Sequence, residues 1–206
     1  MGVGCGIDDA AALIAARGQH VERLLVGIAG PPGAGKSTTA RTLAARLGGV
    51  VVPMDGWHLP LADVQRVGRA DRRGAPDTFD AAGFVAFVAE LRTLETTCSA
   101  PDFSRVTHDP VPGAIEVAPE ASPVFVEGNY LLLDEPPWSR LERLFDLTLY
   151  VDCDDVRRRS ALVERHVAGG MSRVVAERFV AESDECNVAL VRACRQRADL
   201  VVDAGW

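Results

Sequence analysis

No two cysteines in this chain are spaced C-x-x-C, no apolar run approaches the length needed to span a bilayer, and basic residues do not outnumber acidic ones. Each absence excludes something. The five cysteines, Cys5, Cys98, Cys153, Cys186 and Cys194, are scattered and odd in number. They set no disulfide framework, and a reducing cytoplasm fits them best. A net charge of −7 and a pI near 5.1 argue against nucleic acid or an anionic membrane as a partner, and against a kinase of nucleic-acid ends. The first residues have no charged stretch leading into an apolar core, so no secretory signal is expected. There is no internal repeat and no low-complexity tract, and the N-K-x-D motif expected of a guanine-specific switch is missing. These exclusions leave a soluble chain of 206 residues, 48% hydrophobic, with enough apolar content for one well-filled core and too little length for two ordinary domains.

The most informative stretch that is present is GPPGAGKST, Gly30 to Thr38. It follows the apolar run Leu24 to Ala29 and precedes a helical stretch ending at Leu47. Gly30, Gly33, Gly35, Lys36 and Ser37 satisfy the phosphate-binding loop pattern G-x-x-x-x-G-K-[ST]. Glycines let successive backbone N–H groups turn inward around a phosphate, and the helix opening at Lys36 adds the positive end of its dipole. Pro31, Pro32, Ala34 and Thr38 complete the cradle. Lys36 can reach the outer phosphates and the Ser37 hydroxyl can hold magnesium. A glycine-rich turn with no ligand is the alternative, and the strand before and helix after count against it.

Short apolar strands alternate with helices along the rest of the chain. Strands are expected at Arg23–Ala29, Val50–Val52, Val124–Val126, Leu147–Val151 and Leu200–Val202, each continuous and apolar as buried parallel strands are. Helices are expected at Asp8–Arg17, from the loop to Leu47, after an Asp80 N-cap through Leu94, over Asp154–Ala168, and as one long helix over Ser172–Arg197. A short helical piece is expected at Trp138–Leu144. Gly56–Asp80 shows no clear period and holds Arg66, Arg69, Arg72 and Arg73, and Ala100–Pro123 reads as irregular and proline-rich, with room for short strands at its ends. A loop as long as Gly56–Asp80 in a small domain is usually functional or disordered. The pattern implies an α/β domain with a parallel sheet covered by helices on both faces, and ligands at the strand C-terminal ends.

Three charged residues fall at that edge: Lys36 after the first strand, Asp55 after the second and Glu127 at the end of the third. A carboxylate there can bind magnesium or accept the proton of an attacking hydroxyl. Taken singly, either carboxylate could equally be a helix cap or a surface group.

Together with the loop, Val52-Pro53-Met54-Asp55-Gly56-Trp57-His58, Gly74-Ala75-Pro76-Asp77-Thr78-Phe79-Asp80 and Val124-Phe125-Val126-Glu127-Gly128-Asn129-Tyr130 resemble the phosphoribulokinase, uridine kinase and bacterial pantothenate kinase family. The likeness is stronger to its bacterial nucleoside/nucleotide kinase members, which include fructose kinase-like proteins. Arg165-His166, Ser183-Asp184 with Asn187, and Arg197-Ala198-Asp199 fit that subgroup. The resemblance spans Leu25 to Val202 and implies one domain over 1–206 with the P-loop NTPase fold. Within it would lie a helical appendage at 1–20, an acceptor-binding loop at 56–80 and an Arg-bearing helical lid at 155–172. It also implies ATP and Mg2+ as cofactors, and a dimer as a weak default.

By the same resemblance, Asp55 orients and deprotonates the acceptor hydroxyl, Glu127 stands where a Walker B acid would and helps hold magnesium, and Asp55 is a further metal candidate. His58, Arg69, Arg73, Asp80, Phe103, Arg105, Glu127, Tyr130 and His166 become candidates to contact the acceptor. Lys36 and Arg165 become catalytic candidates, with Arg159 placed on the nucleotide. Relatives often carry arginine where this chain has Ala161, which leaves open which arginine closes over the phosphates. Arg158 and Arg165, like Arg159 and His166, share a helix face two turns apart, and a solvated basic face is the alternative to a clamp.

The expected activity is transfer of the ATP γ-phosphoryl group to an alcohol of a small polar metabolite. A sugar, sugar phosphate or nucleoside is favoured, and a pantothenate-like acid stays open. A nucleotide-binding regulatory module with slow hydrolysis is the competing class.

Overall fold

The computed structural model describes residues 5–203 and residue 205. Five parallel strands form one sheet: β1 (Leu25–Ala29), β2 (Val50–Pro53), β5 (Val124–Glu127), β6 (Leu147–Asp152) and β7 (Leu200–Asp203), in the order β2-β5-β1-β6-β7. Every residue of β1 and β5 is buried, which a central parallel strand covered on both faces requires. Alternate residues of β1 serve opposite faces of the sheet. Leu25 and Ala29 join a core with Phe84, Val88, Leu91 and Trp138, whereas Val26 and Ile28 join one with Ala10, Ile14, Ala40 and Leu43.

The second of those cores lies under α1 (Ile7–Gly18) and α2 (Lys36–Leu47). The first lies under α4 (Ala81–Leu91) and a 3-10 segment at Trp138–Arg143. Asp80 caps α4, its side chain accepting a hydrogen bond from the Gly83 N–H at 2.9 Å. Asp154 caps α5 (Asp155–Ala168) in the same way, accepting from Val156 and Arg157.

Three segments differ from the sequence expectations. The stretch expected to be irregular after Ala100 is an antiparallel hairpin, β3 (Cys98–Ser104) with β4 (Asp109–Val117), paired from Cys98–Val117 to Ser104–Asp109. Pro101, Pro110 and Pro112 obscured it. They are tolerated because a two-stranded ribbon leaves each strand an edge where no N–H is needed. The Gly56–Asp80 loop contains a short helix, α3 (Leu61–Arg66), and three 3-10 turns. The long helix expected over Ser172–Arg197 is α6 (Arg173–Phe179), a π-helical turn at Val180–Asp184, α7 (Glu185–Ala193) and a 3-10 turn at Arg195–Arg197. No helix among the described residues is long and apolar enough to cross a membrane.

Because β5 lies between β2 and β1, the residues that follow these three strands are neighbours at one edge of the sheet. In register, Glu127 stands beside Ile28 on one side and Pro53 on the other. Sheet order, rather than sequence distance, gathers the P-loop, Asp55 and Glu127.

Candidate active site

The P-loop is shaped by glycines that could not be replaced. Gly33 has φ +80°, and a Cβ there would stand 2.8 Å from the Arg158 carbonyl oxygen. A Cβ on Gly30 would stand 2.5 Å from the Val151 carbonyl oxygen. The loop therefore sits directly on β6 and α5, with its N–H groups left for an anion at the start of α2. The residues fit nucleotide phosphates and magnesium. Ser37 donates from Oγ to Glu127 Oε1 at 2.7 Å, which places a hydroxyl and a carboxylate together beside the cradle.

Lys36 donates from Nζ to the Pro31 carbonyl at 3.0 Å, folded back over the loop. Burial lowers its pKa to about 8, against the opposing pull of Glu127 and Asp55. Burial also raises the pKa of Glu127, with Asp55 adding to the shift and Lys36 and the Ser37 hydroxyl opposing it. The phosphate end thus holds a buried cation, Lys36, and a buried carboxylate, Glu127, with Asp55 beside them.

These groups open into a cavity of about 630 Å³. Lys36, Ser37, Asp55, Glu127 and Arg165 line it, as do the acceptor candidates His58, Arg73, Phe103, Arg105 and His166. The walls come from the P-loop, the 56–80 loop, the turn of the β3–β4 hairpin, the last turn of α5 and the π-helical turn. His108 in the hairpin turn lies 3.3 Å from the Gly169 carbonyl through Nε2, so hairpin and α5 meet over the cavity.

The basic residues of α5 separate into distinct placements. Arg165 is half-buried, and desolvation lowers its pKa, with Asp55 countering most. It lines the cavity without an ion pair to any described residue. Arg158 is fully buried but committed elsewhere: Nη2 bonds Glu185 at 2.5 Å, Nε bonds Asp155 at 3.1 Å and Nη1 reaches the Pro32 carbonyl at 3.5 Å. It fastens α5 to the P-loop. Arg159 points away and pairs with Glu185 at 3.1 Å, outside the cavity. Of the α5 arginines, Arg165 is the one that lines the cavity.

Outside the P-loop, four candidates do not line the cavity. Arg159 is one of them. Arg69 is held at the surface by Asp77 at 3.1 Å. Asp80 is occupied as the α4 cap. Tyr130 is fully buried against Phe79 and Trp138, and its hydroxyl donates to the Gly74 carbonyl. Sequence reasoning assigned no role to Phe79, His108, Asn129, Met171, Asp184 or Asn187, all of which line it. Asp184 lies 2.8 Å from His166 Nε2, through the π-helical turn. The signal for it in the sequence was the resemblance carried by Ser183-Asp184 with Asn187, which named the residues without giving them a role.

A parallel sheet whose C-terminal edge carries a phosphate-binding loop, two flanking carboxylates and an arginine-bearing lid helix defines a P-loop kinase. Residues 25–205 match the Phosphoribulokinase / Uridine kinase family, and the chain belongs to it. It is 33% identical over 198 residues to a Schizosaccharomyces pombe protein provisionally named a uridine kinase, covering 89% of this chain and 84% of that one. It is 31% identical over 176 residues to the pantothenate kinase of Bacillus velezensis, covering 73% of this chain but 55% of that enzyme. A solved Silicibacter protein, provisionally named a fructose transport system kinase, superposes with a TM-score of 0.87 at 33% identity, covering 96% of this chain and 99% of that one. The chain is therefore a phosphotransferase of the kinase type, with a hydroxyl group as acceptor.

Proposed function

We propose that this kinase transfers the γ-phosphoryl group of Mg-ATP to an alcohol hydroxyl of a small polar metabolite, with a sugar, sugar phosphate or nucleoside favoured. The observation that carries this reading is the opening of Lys36, the Ser37–Glu127 pair and Asp55 into the same cavity as His58, Arg73 and Phe103. One end suits phosphates and the other has room for an acceptor.

Bound Mg-ATP supplies the phosphoryl group and the metal that neutralises charge as it moves. The backbone amides of the P-loop would hold the phosphates, and Ser37 and Glu127 would hold magnesium. Lys36 and Arg165 stand over the charge that develops on the transferring group. Asp55 orients the acceptor hydroxyl and accepts its proton on a carboxylate oxygen as the new P–O bond forms. Closure of α5 and the hairpin keeps water from taking the phosphoryl group in place of the acceptor.

Similarity to pantothenate kinases keeps a pantothenate-type acceptor as a second reading. The test is ADP release from Mg-ATP against nucleosides, sugars, sugar phosphates, glycerate and pantothenate, with an acceptor-free control. Stimulation by one class is expected. Tight ATP binding with no stimulated turnover would favour a regulatory module instead.

A further inference from the structure

We propose that the acceptor of this kinase is an anion whose carboxylate or phosphate group is held by Arg73 against the ring of Phe103. This rests on the kinase reading and narrows it: hydroxy acids and sugar phosphates fit, and neutral nucleosides and free sugars do not.

The site is a stacked column. His58 sits between Phe79 and Phe103, with ring centroids 4.0 and 4.7 Å away, and the Arg73 guanidinium lies over Phe103 at 5.6 Å. The column ties the reaction end to the arginine. His58 Nδ1 is 2.8 Å from the Asp55 carbonyl, which can only accept, so Nδ1 carries the proton. A neutral imidazole has one N–H, so this tautomer leaves the other ring nitrogen of His58 free. Its Nε2 is then an acceptor, suited to a hydroxyl and unsuited to an anion.

Arg73 is the opposite case. Its side chain is 13% exposed, yet only Nη2 has a hydrogen-bond partner, the Leu59 carbonyl at 3.1 Å. Nε and Nη1 are buried with no partner among the described residues. Asp109 is 3.6 Å from Nη2, but the Oδ1 that faces it already accepts from the Leu61 N–H at 2.8 Å. With Asp109 at 3.6 Å and the Phe103 ring offsetting only part of its desolvation, a guanidinium with two idle buried nitrogens is relieved by an oxyanion and only poorly by a neutral hydroxyl. Arg105, from the hairpin turn, lines the same cavity and adds positive charge. A compound that gives a hydroxyl to His58 and Asp55 and an oxyanion to Arg73 satisfies every group in the column.

The test uses matched pairs: glycerol with glycerate, glucose with gluconate, ribose with ribose 5-phosphate, and uridine as a neutral nucleoside. Binding to the full chain is measured calorimetrically with Mg2+ and a non-hydrolysable ATP analogue filling the P-loop, so that anions cannot bind there. At least one anion is expected to bind more than about tenfold tighter than its neutral partner. The carboxylate and phosphate pairs tell the two sources apart.

Arg73→Gln, verified as folded by circular dichroism, should erase that preference. Arg73→Lys should keep part of it, because the charge survives without the fork. Asp109→Asn, which removes the competing charge, should tighten anion binding severalfold. The proposal is overturned if no anion outbinds its neutral partner, or if the preference survives in folded Arg73→Gln. Arg73-dependent anion binding without stimulated ADP release would uphold this proposal while defeating the kinase assignment, and turnover of a neutral acceptor alone would do the reverse.

Discussion

At its phosphate end the cavity rests on hydrogen-bonded neighbours: Lys36, Asp55 and Glu127 follow β1, β2 and β5, which lie side by side, and the P-loop itself is one continuous segment. At its acceptor end the walls come from the 56–80 loop, the β3–β4 hairpin, the end of α5 and the π-helical turn, none of which belongs to the main sheet. The first end is anchored by the sheet, in which β1 and β5 are fully buried. The second is held by side chains, through the Phe79–His58–Phe103 stack, the His166–Asp184 pair and the His108 contact with Gly169. Chemistry common to a family sits where the backbone cannot move, and selectivity sits where side chains and loops can be exchanged.

The contrast predicts different kinds of damage at the two ends. Arg165→Ala should lower kcat by about 10³-fold, in the range for an arginine that neutralises a transferring phosphoryl group, while thermal stability and nucleotide affinity change little. Steady-state kinetics beside a melting curve would show this. Gly33→Ala should act oppositely. Its Cβ would meet backbone as well as the Leu162 side chain, so a loss of about 2–3 kcal/mol of stability together with nucleotide binding is expected in denaturant titration.

The pH dependence comes from Lys36, the only lysine in the chain. Burial places its pKa near about 8, so its charge is lost as pH rises through that value, and ATP-analogue affinity should fall about tenfold from pH 7 to pH 9. Stability moves the other way. Burial disfavours the protonated amine in the folded state, so this group's cost to the fold is relieved as pH rises from about 8 toward 10.5. Titrating the single lysine side chain by NMR checks both. The smallest effect is at Asp80: Asp80→Ala should cost about 1 kcal/mol by uncapping α4, with KM for the acceptor unchanged.

The phosphate end was legible in the sequence because its information is local. A strand, a glycine loop with Lys36-Ser37 and a helix follow one another, and the short apolar runs before Asp55 and Glu127 mark them as strand ends. The acceptor end was legible only in part. Arg69 and Arg73 look alike in sequence, but the loop sends Arg69 to Asp77 at the surface and Arg73 under the hairpin. Asp80 was legible twice, as a cap and as an acceptor contact, and its carboxylate, accepting from the Gly83 N–H, takes up the first role. The π-helical turn left no local signature, since its residues suit an α-helix equally well. It is the extra turn that brings Asp184 to His166. Which of the α5 arginines lines the cavity depended on packing of α5 against the P-loop, where Arg158 is consumed by Glu185 and Asp155.

The account stands most directly on Asp55, the group assigned to accept the proton of the acceptor. The deciding measurement is phosphoryl transfer by Asp55→Asn, beside its affinity for a non-hydrolysable ATP analogue. Transfer lowered by about 10²–10⁴-fold with nucleotide affinity nearly intact is the result expected of a base at the acceptor hydroxyl. Transfer at the wild-type rate, or loss of nucleotide binding in step with loss of transfer, would contradict it.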